Sequence, residues 1–101
     1  MIRLLVADDA AESRELVRAL LDGRSGIEIV GEAANGQEAV DLAQALDPDV
    51  ILMDVEMPVV DGVAATRRVR ELCRAARIVA FAGSDDTRVV MAMMEAGASA
   101  Y

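Results

Sequence analysis

The chain has 101 residues with a formal net charge of −8, from ten basic and eighteen acidic side chains, and 54% of it is hydrophobic. That length allows one domain, the apolar content excludes a disordered chain, and the acidic balance argues against nucleic-acid binding, which rewards net positive charge. All ten basic residues are Arg; with no His, imidazole is excluded as acid, base, metal ligand or phosphodonor.

In chain order, Ile2 to Ala7 is an apolar run interrupted only by Arg3, the pattern of a buried parallel strand. Asp8 and Asp9 follow at its carboxyl end. From about Ala10 to Leu21 the apolar positions Leu16, Val17, Leu20 and Leu21 recur at helical spacing, and Gly23 marks a stop. Ile27 to Ala33 reads as a second strand, Asn35-Gly36 as a turn, and Gln37 to Leu46 as a second helix that Asp47-Pro48-Asp49 ends. Val50 to Met53 is the clearest buried strand, and it ends on Asp54. Met57-Pro58 and Asp61-Gly62 punctuate the loop before a third helix, from about Gly62 to Leu72. Ile78 to Phe81 is the fourth strand. Gly83-Ser84-Asp85-Asp86 leads into a fourth helix that ends near Ala96 and is followed by Gly97; Ser99-Ala100-Tyr101 opens a fifth strand.

This βαβαβαβα order implies a parallel sheet with helices on both faces, its topologies limited by right-handed crossovers. Ligands bind such sheets at the carboxyl ends of strands, where the strand order reverses. With order 2-1-3-4, Asp8, Asp9 and Asp54 converge in one crevice. Converging carboxylates repel unless a cation intervenes, and Mg²⁺ suits a few carboxylates, a carbonyl and several waters, with room left for phosphate oxygens. Asp54 is then placed as a carboxylate nucleophile that forms an aspartyl phosphate. Against this stand plainer readings: paired Asp after a strand is often a helix N-cap with a solvated neighbour. Asp54, directly after large apolar residues, is harder to dismiss, because burying a carboxylate is costly.

The segments Leu5-Val6-Ala7-Asp8-Asp9, Asn35-Gly36-Gln37-Glu38-Ala39, Pro48 to Asp54, Met57-Pro58, Asp61-Gly62 and Glu95 to Tyr101 resemble, in order along the whole chain, the response-regulator receiver domains. Ile29-Val30-Gly31-Glu32-Ala33 is most similar to receivers that precede a LuxR-type helix-turn-helix. The resemblance implies a flavodoxin-like (CheY-like) doubly wound sheet of order 2-1-3-4-5, here with the fifth strand and last helix truncated, so that residues 1–101 are a receiver domain incomplete at its C-terminus. It implies phosphoryl transfer from a sensor histidine kinase to Asp54, control of an output domain or receiver dimer partner, and output in transcription. Mg²⁺ would be held by Asp8, Asp9, Asp54 and the backbone carbonyl of Glu56. Met57, Pro58, Asp61 and Gly62 would shape the loop beside the acceptor.

Three departures from the family pattern matter. The hydroxyl-bearing switch position aligns with Ala82, with Ser84 two residues on; Tyr101 matches the switch aromatic. No Lys occurs in these residues to neutralise phosphoryl oxygens, and the closing helix is missing. The alternatives are a pseudo-receiver, a phosphorylation-independent interaction module favoured by Ala82, and an aspartate-nucleophile phosphatase of the haloacid-dehalogenase type, for which Glu56 is a loose fit and no cap domain is present. The truncation is expected to expose the edge Ile78-Val79-Ala80-Phe81 and part of the sheet face, so that the chain is either a fragment or self-associates.

Other features have bland uses. Arg67, Arg68, Arg70, Arg74 and Arg77 read as a solvated face. Met91, Met93 and Met94 read as core packing with a capacity for adaptable contacts, and Cys73 as an apolar filler. The first residues run straight into acidic ones and lack the form of a signal peptide, and no apolar run approaches the roughly 20 residues that span a bilayer. A cytoplasmic protein without membrane contact is expected.

Overall fold

A computed structural model describes residues 1–23, 26–57, 59–73, 75–81 and 87–100, with the side chains of Thr87 and Val89 left aside. Its elements are β1 (Ile2–Ala7), α1 (Ala11–Leu21), β2 (Ile27–Ala33), α2 (Gly36–Leu46), β3 (Val50–Asp54), α3 (Gly62–Leu72), β4 (Arg77–Phe81) and α4 (Thr87–Ala96). The four strands form one parallel sheet in the order β2-β1-β3-β4. This is the flavodoxin-like α/β arrangement, with the two acid-bearing strands β1 and β3 as central neighbours. Each element lies within a residue or two of its expected place. Arg77 joins β4 because its N–H bonds to the carbonyl of Asp49 at 3.0 Å.

Strand residues alternate between faces, and the two faces are covered unequally. Leu5, Ala7, Ile51, Met53, Ile78 and Ala80 point into the main core, where Ala39, Val40 and Ala43 of α2, Ala65 and Val69 of α3, and Met93 of α4 bury them. On the other face, Leu21 of α1 joins Ile2, Leu4, Ile27, Val50, Leu52 and Val79 around an open apolar cavity of about 220 Å³. No residue of α1 is fully buried; Leu16 and Leu20 are 59% and 58% exposed. The expected apolar stripe of α1 is therefore only half used. The edge of β4 is less open than expected. Ser99 N–H donates to the carbonyl of Ile78 at 2.7 Å, and Ala80 N–H to that of Ala100 at 2.9 Å, a single parallel bridge where a fifth strand was expected to open. No helix among the described residues is long and apolar enough to cross a membrane.

Arg3, the one interruption of the first apolar run, has a structural use. Its Nη1 donates to the carbonyls of Leu46 and Asp47 at 2.7 and 2.9 Å, satisfying otherwise orphaned groups at the end of α2. Its backbone N–H donates to Oδ2 of Asp49 at 2.8 Å. The start of β1, the end of α2 and the approach to β3 are thereby tied together.

Of the arginines on α3 and its exit, Arg67, Arg68 and Arg77 are exposed as expected. Arg70 is half-buried, and its Nη2 donates to the carbonyl of Ala76. Met93 is core, while Met91 and Met94 face outward, 56% and 45% exposed. Cys73 is half-buried, its Sγ 3.5 Å from the carbonyl of Ala43, and burial pushes its thiol pKa up, away from reactivity.

Candidate functional site

β1 and β3 pair in parallel with Ala7 opposite Met53, so Asp8, Asp9 and Asp54 emerge together at the carboxyl end of the sheet. One carboxylate oxygen from each lies within 4.8 Å of the others. Asp8 is buried at 3% exposure, Asp9 exposed, and Asp54 half-buried.

The capping reading of the paired aspartates does not hold. The N-cap of α1 is Ala10, and no side chain caps the helix. Asp8 instead folds back on its own turn, Oδ1 accepting the Ala10 N–H at 2.9 Å. Its N–H donates to the carbonyl of Ala33 at 3.0 Å, and its carbonyl accepts from Nη1 of Arg14 at 2.7 Å. Asp9 is left free to point its carboxylate into the crevice mouth.

Among the described residues, the Asp54 carboxylate accepts one hydrogen bond, from the Glu56 N–H at 3.1 Å. Burial, which penalises the charged form, pushes its pKa from 3.8 up to about 6. The Glu56 N–H opposes this, and the charges of Asp8, Asp9 and Glu56 add to it. Glu32, by contrast, sits among cations: the hydrogen bond from Arg18 holds its carboxyl below the usual range, with Arg14 assisting. Among the described residues the charges that act on Asp54 are all negative, whereas those on Glu32 are positive.

Two helix starts frame the crevice. Asn35 caps α2, its Oδ1 accepting the Glu38 N–H at 2.9 Å, while Glu38 Oε1 accepts the N–H of Ala34, one residue before the cap, at 2.8 Å. Asp61 caps α3 through the Ala64 N–H at 2.9 Å. The glycines after both caps permit close backbone approach: a methyl group on Gly36 would overlap the carbonyl oxygen of Val60, and one on Gly62 would overlap the carbonyl oxygen of Asp54. Gly62 N–H also donates to the carbonyl of Val55 at 2.8 Å. The β3–α3 loop is thus pressed between the acceptor strand and α2. Met57 anchors it in the core at 7% exposure. Val59 takes a positive φ of 69° at 81% exposure, strained for a β-branched residue.

Asp8, Asp9 and Asp54 are thus brought together, with Glu56, Met57, Asp61 and Gly62 beside them. Pro58, Ala82, Gly83, Ser84, Asp85, Asp86, Tyr101 and Arg74 lie outside the described residues. The contacts of Arg14 and the strain at Val59 were not anticipated from sequence. An arginine one helical turn beyond an acidic pair was the available signal for the first. Nothing in the sequence signalled the second, because Val carries no left-handed preference.

A doubly wound parallel sheet with three carboxylates converging at its strand-order reversal defines a class of α/β domains that hold charged ligands at that crevice. The response regulator receiver domain family matches residues 4–101. Among curated proteins, a protein-glutamate methylesterase/protein-glutamine glutaminase of Alkalilimnicola ehrlichii is 41% identical over 99% of the chain, which spans 26% of that protein. The transcriptional regulatory protein LnrK of Bacillus subtilis is 34% identical over the whole chain, which spans 46% of it. Among solved structures, a LuxR-family two-component response regulator from Aurantimonas sp. superposes with a TM-score of 0.94 at 37% identity, over 100% of this chain and 72% of that one. The response regulator domain of Thermotoga maritima CheB gives 0.93 at 31% identity, over 99% and 75%. The chain belongs to the response-regulator receiver family.

Proposed function

We propose that the chain is a phosphorylation-controlled switch in which Asp54 accepts a phosphoryl group from a sensor histidine kinase. The observation that carries this reading is the convergence of Asp8, Asp9 and Asp54 within 4.8 Å at the end of the two central strands. Three carboxylates so close, one of them holding its proton up to about 6, suit a hard divalent cation, and Mg²⁺ accepts this oxygen donor set. Asp9 and Asp54 would supply its carboxylates, Asp8 would act from behind them, and the Glu56 carbonyl would complete the set. When bound, the cation neutralises charge on the transferring phosphoryl oxygens.

The chain's own part is positional. The Glu56 N–H orients one oxygen of Asp54, leaving the other to attack phosphorus in line with the departing donor; the new bond is an acyl phosphate, and the donor leaves with the electron pair of the broken P–O or P–N bond. The β3–α3 loop, held by Gly62 and Met57, lines the approach. Incubation with acetyl phosphate and Mg²⁺ should add one phosphoryl mass, and Asp54→Asn should abolish it. Labelling that survives the substitution would overturn the assignment.

The pseudo-receiver reading rests on Ala82 in place of a hydroxyl; the same labelling experiment separates the two. The chain spans 26% and 46% of two of its relatives, which supports a receiver that acts within a longer cytoplasmic protein. The LuxR-family likeness supports an output in transcription, and the methylesterase relatives support an enzymatic output. The sequence of the full gene product distinguishes them.

A further inference from the structure

The turn that carries Asp8 and Asp9 is held on its strand side by Asp8, which is buried and bonded through its N–H to Ala33 and through Oδ1 to Ala10. α1, which follows, starts without a side-chain cap and buries no residue fully, so the helix side of the turn depends on a further contact. A guanidinium makes it. Arg14, whose N–H makes a first helical bond to the carbonyl of Ala10, donates from Nη1 to the carbonyl of Asp8 at 2.7 Å. Its Nε lies 3.5 Å from Oε1 of Glu32 on β2. Glu32 is gripped in turn by Arg18, from Nε at 2.8 Å and Nη2 at 2.9 Å, a bidentate pair. The inner side chains Arg14 and Glu32 are 19% and 26% exposed, the outer Arg18 48%.

We propose that Arg14 is the positioning residue of the Asp8-Asp9 turn, setting the spacing of these carboxylates from Asp54 and hence the affinity of the crevice for a divalent cation. The proposal rests on the reading of the site given above. Asp8 has its N–H committed to β2 and its carboxylate to Ala10; the Arg14 bond fixes the carbonyl, and with it the peptide plane from which Asp9 springs. Groups behind a metal's ligands, though they never touch it, commonly govern affinity by 10–100-fold, roughly. A lysine would substitute only in part, because an ammonium keeps the charge but lacks the fixed fork with which guanidinium serves a carbonyl and a carboxylate together.

Mg²⁺ titration of the full chain, followed by amide shifts near Asp9 and Asp54, tests this with Arg14→Gln, Arg14→Lys and Glu32→Gln, each checked for folding by circular dichroism. Arg14→Gln should weaken Mg²⁺ binding about tenfold in a chain that stays folded, and Arg14→Lys should restore only part of it. An Arg14→Gln chain that melts earlier but binds Mg²⁺ as the unaltered chain does would show a merely structural salt bridge and overturn the proposal. If Arg14→Gln does not fold, Glu32→Gln decides. Releasing Arg14 from its anchor should weaken Mg²⁺ by about threefold, a fraction of the full effect, and unchanged affinity would overturn the proposal. Failure of the unaltered chain itself to bind at Asp9 and Asp54 would instead remove the reading of the site, a result distinct from loss of the Arg14 effect alone.

Discussion

Asp54 is where the demands of chemistry and stability oppose each other. A nucleophilic carboxylate must be ionised, yet burial and three acidic neighbours hold its proton up to about 6, against an ordinary 3.8. Between those values the folded chain binds more protons than the unfolded one, so this residue's contribution to stability is present below the lower value and is lost as pH rises through the upper one. Asp54→Asn removes the titration and the repulsion. Urea denaturation should show the variant more stable than the unaltered chain above pH 6 by about 1 kcal/mol, a figure reduced for the solvent that reaches this half-buried group. The gain should vanish near pH 4 or below, to the nearest unit or so. Mg²⁺ should narrow the difference at neutral pH by binding the folded, unaltered chain. A constant gain across the range would mean that ionisation of the half-buried Asp54, with its burial cost and the repulsion from its neighbours, is not its source.

At the level of elements, the β3–α3 loop is held by contacts that residue preferences alone would misjudge. Gly36 opens α2, and replacing a helical glycine by alanine ordinarily gains up to about 1 kcal/mol. Here the added methyl would overlap the Val60 carbonyl oxygen and stand 2.9 Å from the Val60 Cβ. Backbone cannot yield as a flexible side chain can, and overpacking of this kind costs roughly 1–3 kcal/mol. Gly36→Ala should therefore destabilise by about 2 kcal/mol net, with amide shifts concentrated in the described part of the β3–α3 loop. A stabilised variant would show that the loop moves aside freely. The motif around Asn35 was legible as a turn, and its cap is local, Asn35 Oδ1 accepting the N–H three residues on. The need for glycine there came from a partner 24 positions later in the chain, beyond any local pattern.

For the whole molecule, the inequality of the two sheet faces is the governing fact. Among the described residues, α2, α3 and α4 seal one face, and the other has α1 and an apolar cavity of about 220 Å³ lined by seven residues, all aliphatic. Ile2, Leu16 and Leu20 add exposed apolar surface around the same side, at 46%, 59% and 58%. Open apolar surface of this kind binds hydrophobic dyes and favours association. The 101-residue chain should enhance the fluorescence of 8-anilinonaphthalene-1-sulfonate. Weak dye binding would show that α1 settles over the cavity and covers the face by itself.

The amino-acid sequence by itself determined the alternation of strands and helices, because each apolar run and each helical stripe is a local pattern read from neighbouring residues. It also pointed to Asp8, Asp9 and Asp54, because charged groups placed directly after buried strands are costly without a use. Tertiary structure alone decided which carboxylate carries the raised pKa, that Asp8 turns back on Ala10 rather than capping α1, and that Arg3 closes α2 while Arg14 holds the acidic turn. Those outcomes depend on which side chains meet across strands and helices distant in sequence. Burial and Coulomb energy are set by that meeting, and no spacing along the chain encodes it.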